Sequence, residues 1–210
     1  MSLNSISSQV AAAVRVLEGG GLVAYPTDTV YGLGAKMSCA AAVEQVFAVK
    51  ARPRQMALPL LVGSVGQMEA LAGYISTSAR CLIEAFLPGA VTLVLPASRL
   101  VPEYLKTKEG TIALRIPNHA VALALIDGIG EAIVGTSANR SGQPSPLTAE
   151  GVRAQLGAMV DMVVEGGSCP GTESTIVDVT GEVPVIVRRG AISAEAIGKA
   201  CGRVLAGDGG

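Results

Sequence analysis

Two positive charges lie close together in the segment KARPR. Lys50 and Arg52 precede the apolar stretch ALPLLV, and Arg54 adds a third charge within five residues. Since alternate residues of an extended segment point to the same side, we expect Lys50 and Arg52 to face one ligand. A polyphosphate suits such a pair, because charge-assisted hydrogen bonds would stabilise the charge that develops on a leaving pyrophosphate. The alternative is a solvated basic loop.

Neutral hydrogen-bonding side chains adjoin three other apolar segments. Thr27 lies in PTDT after LVAY, Ser174 begins STIVDVT, and TSANRSGQPSP after AIVG supplies Ser137, Asn139 and Ser145. Loops at the carboxyl ends of strands are the usual ligand sites of α/β proteins. Each loop alone could be an ordinary turn, since Ser, Thr, Asn and Asp favour turns. Their repeated position beside a strand predicts one shared ligand site.

Two arginines lie within apolar strands, Arg115 in IALRIP and Arg188 in VIVRRG. A guanidinium among aliphatic side chains is costly to desolvate unless it meets an anion. Either a protein carboxylate or a ligand could supply that anion. Neighbouring residues of a regular strand face opposite sides, so only one of Arg188 and Arg189 is expected to point into a common pocket.

Several familiar chemistries lack the residues that they need. The Gly198-Lys199 pair precedes alanine, which excludes a P-loop, and Asn139 replaces the second glycine of a nucleophile elbow around Ser137. The single histidine, His119, is expected to begin a helix and to have no catalytic role. The four cysteines are too far apart for a zinc site, so we expect them to be reduced and mostly buried, and we predict no metal held by protein ligands.

The charge balance argues against a nucleic-acid or membrane surface. Sixteen Lys and Arg oppose 17 Asp and Glu, for a net charge of −1. No apolar run approaches the roughly 20 residues of a membrane span, and MSLNSISSQV lacks the basic and apolar parts of a secretory signal. We therefore expect a cytoplasmic protein with no membrane partner.

Alternating apolar periodicities predict an α/β domain over residues 1–200, with a flexible tail over 201–210. Helices are expected at 8–18, 40–49, 64–72, 76–86, 119–126, 148–156 and 194–200. Strands are expected in LVAY, LPLLV, AVTLVLP, TIALRIP, EAIVGTS, MVVEG, STIVDVT and VPVIVR. The last two should form a hairpin across Gly181 and Glu182. The sequence thus predicts a single domain with a twisted, mixed β-sheet flanked by helices.

Eight segments, taken in order, resemble the YrdC/Sua5 family of L-threonylcarbamoyladenylate synthases. They are AYPTDTVYGLGA, KARP, ALPLLV, PGAVTLVLP, TIALRIPNH, GTSANRSGQPSP, ESTIVDVT and VRRGAIS. The resemblance implies a YrdC-like fold with a concave, positively lined pocket. It also implies a nucleotidyltransferase that uses L-threonine, bicarbonate and ATP, with Mg²⁺ accompanying the ATP. The products would be pyrophosphate and threonylcarbamoyl-AMP, for the N6-threonylcarbamoyladenosine (t6A37) modification of tRNA.

The resemblance also assigns roles to single residues. The family's K-x-R motif matches Lys50 and Arg52, which would be catalytic and contact ATP. Its S-x-N motif matches Ser137 and Asn139. Threonine would be bound by Thr27, Arg115 and Ser174, and ATP would also be bound by Thr111, Ser137, Asn139, Ser145 and Arg188. The implied further partners are tRNA or the tRNA-modifying proteins that accept the product.

Two other assignments remain open within the resemblance. The first is a YciO-like paralogue that is not catalytic and binds RNA or ribosomal particles, which the near-neutral charge argues against. The second is the related domain of hydrogenase maturation proteins, whose acylphosphatase-like segment and cysteine-rich zinc fingers are not visible here. The chain resembles the short, single-domain form of the family, with Ala57 where members often have proline.

Overall fold

Helices and strands are interspersed along the chain, and each predicted helix is present. The computed structural model describes residues 3–53 and 56–202. The α-helices of this part are α1 (Leu3–Glu18), α2 (Ala40–Lys50), α3 (Val65–Leu71), α4 (Thr77–Phe86), α5 (Ala120–Ile129), α6 (Ala149–Leu156) and α7 (Ala194–Cys201). The strands are β1 (Val23–Tyr25), β2 (Gly32–Gly34), β3 (Leu60–Leu61), β4 (Val91–Pro96), β5 (Thr111–Arg115), β6 (Ile133–Val134), β7 (Thr136–Ser137), β8 (Met162–Val163), β9 (Thr175–Asp178) and β10 (Val185–Arg188). Short 3-10 helices cover Glu103–Leu105 and Gly157–Met159.

Side-chain caps explain where most helices begin. The hydroxyl oxygens of Ser64, Ser76, Thr148 and Ser193 each accept a hydrogen bond from a backbone N–H three residues further on, at the start of α3, α4, α6 and α7. His119 caps α5 through Nδ1, which accepts from the Val121 N–H at 3.3 Å, so the prediction that this histidine begins a helix is confirmed.

The strands form two mixed sheets, whereas the sequence predicted one. The smaller sheet has the order β7-β2-β1-β8, and the larger has the order β10-β9-β4-β5-β3-β6. Both contain parallel and antiparallel pairs, and β9 and β10 form the predicted antiparallel hairpin. Strand β2 was not among the strands that the sequence predicted.

The predicted single strand EAIVGTS is divided between the sheets at Gly135. Strand β6 pairs with β3 in the larger sheet, and β7 pairs with β2 in the smaller one. A Cβ atom on Gly135 would lie 2.3 Å from Cγ of Leu61, which is buried. Only glycine fits this crossing without displacing Leu61, so the glycine sets the point where the chain changes sheets.

One face of the larger sheet packs into the main apolar core. Val91, Leu93 and Leu95 of β4 are buried there, together with residues from α2 and α4. Because side chains alternate along a strand, the residues between them point to the other face of the sheet. A second apolar cluster joins α1, α5 and β1 on the smaller sheet.

Several smaller predictions concern single residues. The four cysteines are free, as expected, but only Cys169 is buried, so the prediction that most of them are buried is wrong. Helix α7 extends to Cys201, and residues 203–210 of the predicted tail lie outside the described residues, as does Arg54. Within the described ranges, no helix combines the length and apolar character that crossing a membrane requires.

Candidate active site between the two sheets

A cavity of about 250 Å³ lies between the two sheets. The larger sheet contributes the alternate residues that face away from the core: Thr92 and Val94 of β4, Ala113 and Arg115 of β5, Ile176 of β9 and Leu61 of β3. The opposite wall is built by the segment between β1 and β2 and by β7. The period-two pattern of the strands thus separates a dry core from a ligand-sized space.

One end of the cavity is organised around Arg115, which is buried. Its Nη2 pairs with Oδ1 of Asp28 at 2.6 Å, its Nη1 donates to Oγ1 of Thr29 at 3.0 Å, and its Nε donates to the Gly89 carbonyl at 2.9 Å. The strand arginine therefore meets a protein carboxylate. These bonds use three of its five N–H groups, and the guanidinium still lines the cavity.

Thr27 is fixed by its own turn beside Arg115. Its hydroxyl donates to the Val30 carbonyl at 2.7 Å, accepts from the Thr29 N–H at 3.1 Å and lies 2.9 Å from the Thr29 hydroxyl. Both threonines are buried and line the cavity. The turn places one hydroxyl within a rigid network next to the guanidinium.

Ser174 and Arg188 meet on the β9 side. The Ser174 hydroxyl lies 2.8 Å from that of Thr92, and Arg188 Nη2 donates to the Ser174 carbonyl at 2.8 Å and to its hydroxyl at 3.1 Å. A β-bulge between Ile186 and Arg188 places both Val187 and Arg188 on the cavity side. A regular strand would have sent these neighbours to opposite faces, so the bulge directs Arg188 into the site.

Lys50 lies at the end of helix α2, so the prediction of an extended segment there is wrong. Its ammonium donates to the Ser137 carbonyl, to the Asn139 carbonyl at 2.8 Å and to Asn139 Oδ1 at 3.1 Å. The Ser137 hydroxyl also donates to that Oδ1, at 2.6 Å, and the Ser141 N–H donates to the Lys50 carbonyl at 2.8 Å. Lys50 therefore holds the S-x-N turn, with its three N–H groups directed at that turn.

Arg52 follows the left-handed residue Ala51 and reaches the cavity. Its Nε and Nη2 donate to the carbonyls of Met56 and Ala57, which fixes the guanidinium against its own loop. Burial lowers the pKa of Lys50 from 10.5 to about 8, with a further lowering by Arg52 that Glu173 opposes. Burial also lowers the pKa of Arg52, and Arg188 adds to this effect. Three cations thus lie near one another at this end.

The cavity brings together six of the residues singled out from the sequence: Thr27, Arg52, Arg115, Ser137, Ser174 and Arg188. Lys50 and Asn139 lie behind Ser137 and support it. Ser145 reaches the site indirectly, because its hydroxyl donates to Oε1 of Glu173 at 2.6 Å. Thr111 does not line the cavity. It lies at the other end of β5, about 13 Å along the strand from Arg115, where its hydroxyl is 2.8 Å from that of Thr107.

Sequence reasoning assigned no role to Asp28, Thr92 and Glu173. Asp28 is the partner of Arg115, Thr92 contacts Ser174, and Glu173 links Ser145 to Arg188. A carboxylate next to a polar loop looks like a turn former in the sequence. The isolated arginines in apolar strands were the available signal that an anion had to lie nearby, and the sequence left open whether a protein carboxylate or a ligand supplies it.

The family model for the Sua5, YciO and YrdC proteins, described as "Telomere recombination", matches residues 15–190. The chain belongs to this family. Among members of the Sua5/YciO/YrdC family, the threonylcarbamoyl-AMP synthase of Pyrococcus abyssi is 39% identical over 197 residues, which are 93% of this chain and 58% of that relative. The chain therefore spans little more than half the length of that protein.

Solved structures of the Sua5/YciO/YrdC family show the same fold. The crystal structure of P. abyssi Sua5 complexed with L-threonine matches with a TM-score of 0.89 at 38% identity. The match covers 93% of this chain and 58% of the Sua5 chain. The crystal structure of Escherichia coli YciO matches with a TM-score of 0.84 at 27% identity. This match covers 90% of this chain and 92% of the YciO chain. The predicted YrdC-like α/β fold is confirmed.

Proposed function

We propose that this chain is an L-threonylcarbamoyladenylate synthase, a nucleotidyltransferase that works in the cytoplasm. The observation that carries the proposal is the shared cavity, where hydroxyl groups and a buried arginine lie at one end and two further arginines at the other. A relative named threonylcarbamoyl-AMP synthase, 39% identical over most of this chain, supports the same assignment. The substrates would be L-threonine, bicarbonate and ATP.

The amino acid would occupy the end built by Thr27, Arg115 and Ser174. Arg115 has two N–H groups beyond its three protein contacts, and these could bind the threonine carboxylate through charge-assisted hydrogen bonds. Asp28 holds the other side of the guanidinium and so orients it. The Thr27 and Ser174 hydroxyls would bind the remaining polar groups of the amino acid.

The nucleotide would lie toward Arg52, Arg188 and Ser137. The two guanidiniums would stabilise the negative charge that develops on pyrophosphate. Hydrogen-bond donors that are already in position, in a site that excludes part of the water, interact strongly with such a charge. Lys50 and Asn139 would hold the turn that presents Ser137. Ser145 and Thr111 are kept as proposed ATP contacts, and both lie outside the cavity lining: Ser145 approaches it through Glu173, and Thr111 lies at the far end of β5 from Arg115. Direct contact between Lys50 and a phosphate would require one of its present acceptors to be released.

The reaction would proceed in two steps. The threonine amine attacks the carbon of bicarbonate, and loss of water gives a carbamate; a carbamate oxygen then attacks the α-phosphate of ATP and releases pyrophosphate. Holding the reactants in line can supply roughly 7 to 11 kcal/mol of the barrier reduction, so the site needs no histidine base. In the described ranges, no three His, Cys, Asp or Glu side chains converge on a metal position. Mg²⁺ would enter with ATP, bound to its phosphates, because Mg²⁺ prefers phosphate and water oxygens.

The reaction can be tested directly with the purified chain. We would incubate it with ATP, Mg²⁺, labelled bicarbonate and each amino acid in turn, and separate the products by chromatography. A labelled carbamoyl-adenylate that forms with threonine, together with pyrophosphate, is the expected result. Reactions without bicarbonate and with the Arg52→Ala variant are the controls. No labelled adenylate with any amino acid, together with RNA binding at physiological salt, would instead favour the YciO-like alternative.

The product is a mixed anhydride between a carbamate and AMP, and such compounds hydrolyse readily. A protein that accepts the threonylcarbamoyl group, or tRNA itself, would therefore be the natural partner. The t6A37 modification of tRNA is the destination proposed for the group.

A further inference from the structure

Glu173 lies among the cations of the cavity. Of the cavity-lining residues in the described part of the chain, it is the only one with a carboxylate. Its Oε1 accepts from the Ser145 hydroxyl at 2.6 Å, and its Oε2 forms an ion pair with Nη1 of Arg188. The side chains of Glu173 and Arg188 are 35% and 42% exposed, so a ligand in the cavity could reach both.

The position of Glu173 overlaps with what a phosphate group would need. A phosphate offers anionic oxygens to a guanidinium and to hydroxyl donors, and Glu173 offers its oxygens to one of each. Its negative charge also acts on Lys50 and Arg52, since it opposes the lowering of both pKa values. The Glu173 carboxylate therefore interacts with the same cationic side chains that would neutralise a bound polyphosphate.

We propose that Glu173 is an internal competitor of phosphate, which weakens the binding of anions at the cationic end of the cavity and thereby favours release of pyrophosphate. This inference rests on the proposed function only for the identity of the anion. A polyanion can offset the competition through contacts with several cations, whereas an anion of low charge gains less. Glu173 would thus lower the affinity of every anion at this end of the cavity, pyrophosphate included.

Calorimetric titration with inorganic pyrophosphate, without Mg²⁺, threonine or bicarbonate, tests the inference. Glu173→Gln removes the charge and keeps an oxygen that can accept from Ser145. We expect this variant to bind pyrophosphate about tenfold more tightly than the wild type, and the gain to shrink as salt is added because salt screens the interaction. The control is Glu109→Gln, an exposed residue outside the cavity that changes the net charge equally. Its affinity should stay within twofold of the wild type.

A second neutral variant, Glu173→Ala, separates charge from geometry. It should also bind pyrophosphate more tightly than the wild type, with a smaller gain because Ser145 loses its acceptor. Equal or weaker binding by both neutral variants, with melting temperatures that show them folded, would overturn the inference and make Glu173 a positioning residue. Since pyrophosphate binding needs no turnover, the result is independent of whether the chain makes threonylcarbamoyl-AMP.

Discussion

Asp28 and Arg115 form an ion pair whose side chains are only 16% and 7% exposed. Removing one partner of such a pair leaves the other charge buried and uncompensated, which costs roughly 3–5 kcal/mol. Asp28→Asn should therefore lower the free energy of unfolding by an amount near this range and weaken threonine binding, as measured by urea unfolding and calorimetry.

The matched control for Asp28→Asn is Glu69→Gln. Glu69 pairs with Arg80 on the surface, where the two side chains are 44% and 59% exposed. Exposed pairs contribute only about 0–1 kcal/mol. Equal losses of stability in the two variants would show that the environment of Arg115 is not as dry as its burial indicates.

Lys50 makes the stability of the chain depend on pH. Folding lowers its pKa from 10.5 to about 8, so between these values the unfolded chain binds more protons, and the contribution of Lys50 to stability rises with pH. The unfolding free energy of the wild type relative to Lys50→Met should increase by up to about 3 kcal/mol from pH 8 to 10.5, at 1.36 kcal/mol per pKa unit. Urea unfolding of both proteins at several pH values measures this difference, and a constant difference would contradict the lowered pKa.

Gly135 forms the crossing between β6 and β7. A methyl group there would lie within 3 Å of three side-chain atoms of Leu61. Gly135→Ala should lower the free energy of unfolding by about 1–3 kcal/mol, the usual cost of overpacking. Chemical denaturation measures it, with Gly66→Ala in α3 as the control, because a Cβ there would meet only Ser64 Oγ at 3.9 Å.

The double variant Gly135→Ala with Leu61→Ala tests the cause of that loss. Leu61→Ala removes the atoms that the new methyl group would meet, so the two losses should be less than additive. Strict additivity would mean that the backbone at Gly135, and not the contact with Leu61, requires glycine.

The elements that the sequence predicted well are those that depend on local chemistry. Ser64 and Thr148 mark helix starts through bonds within three residues, and the residues of β4 alternate between the core and the cavity because successive side chains of a strand point to opposite faces. How the strands divide between the two sheets depends on contacts between residues that are far apart in the sequence, such as Leu61 and Gly135. The hydrophobic periodicity of a segment contains no information about such contacts. The bulge in β10 likewise depends on pairing with β9.

The candidate site shows the same division. The sequence identified Thr27, Arg115, Ser137 and Ser174 because their residue types adjoin strands, and the fold brings them to one cavity. It did not identify the carboxylates that partner the arginines, since which Asp or Glu lies near a given arginine depends on tertiary packing. Lys50 was expected in a loop because Pro53 follows it closely, but α2 continues through it before the left-handed residue Ala51.

At the scale of the whole molecule, both sheets line the cavity, so ligands that fill it should stabilise the complete fold. With threonine present and bicarbonate absent, ATP at about 100 times its own dissociation constant should add about 2.7 kcal/mol to the free energy of unfolding. This corresponds to a rise in melting temperature of several degrees, at about 2–4 °C per kcal/mol. Differential scanning calorimetry measures the rise.

Ala113→Leu is the control for this thermal shift. Ala113 points from β5 into the cavity, so a larger side chain would fill ligand space while its strand neighbours Ile112 and Leu114 keep the core unchanged. The variant should fold and lose most of the rise. A full shift in this variant would place the ligands elsewhere.

The crossing at Gly135, a single residue long, restricts how far the two sheets can move apart. The chain on either side belongs to opposite walls, and the Val134 N–H also donates to the Ala35 carbonyl just beyond β2, at 2.9 Å. If the two sheets moved apart, these backbone hydrogen bonds would break together with the β2–β7 or the β3–β6 pairing. We therefore expect ligands to enter and leave through side-chain rotations and small loop movements at the rim of the cavity, while the two sheets stay joined.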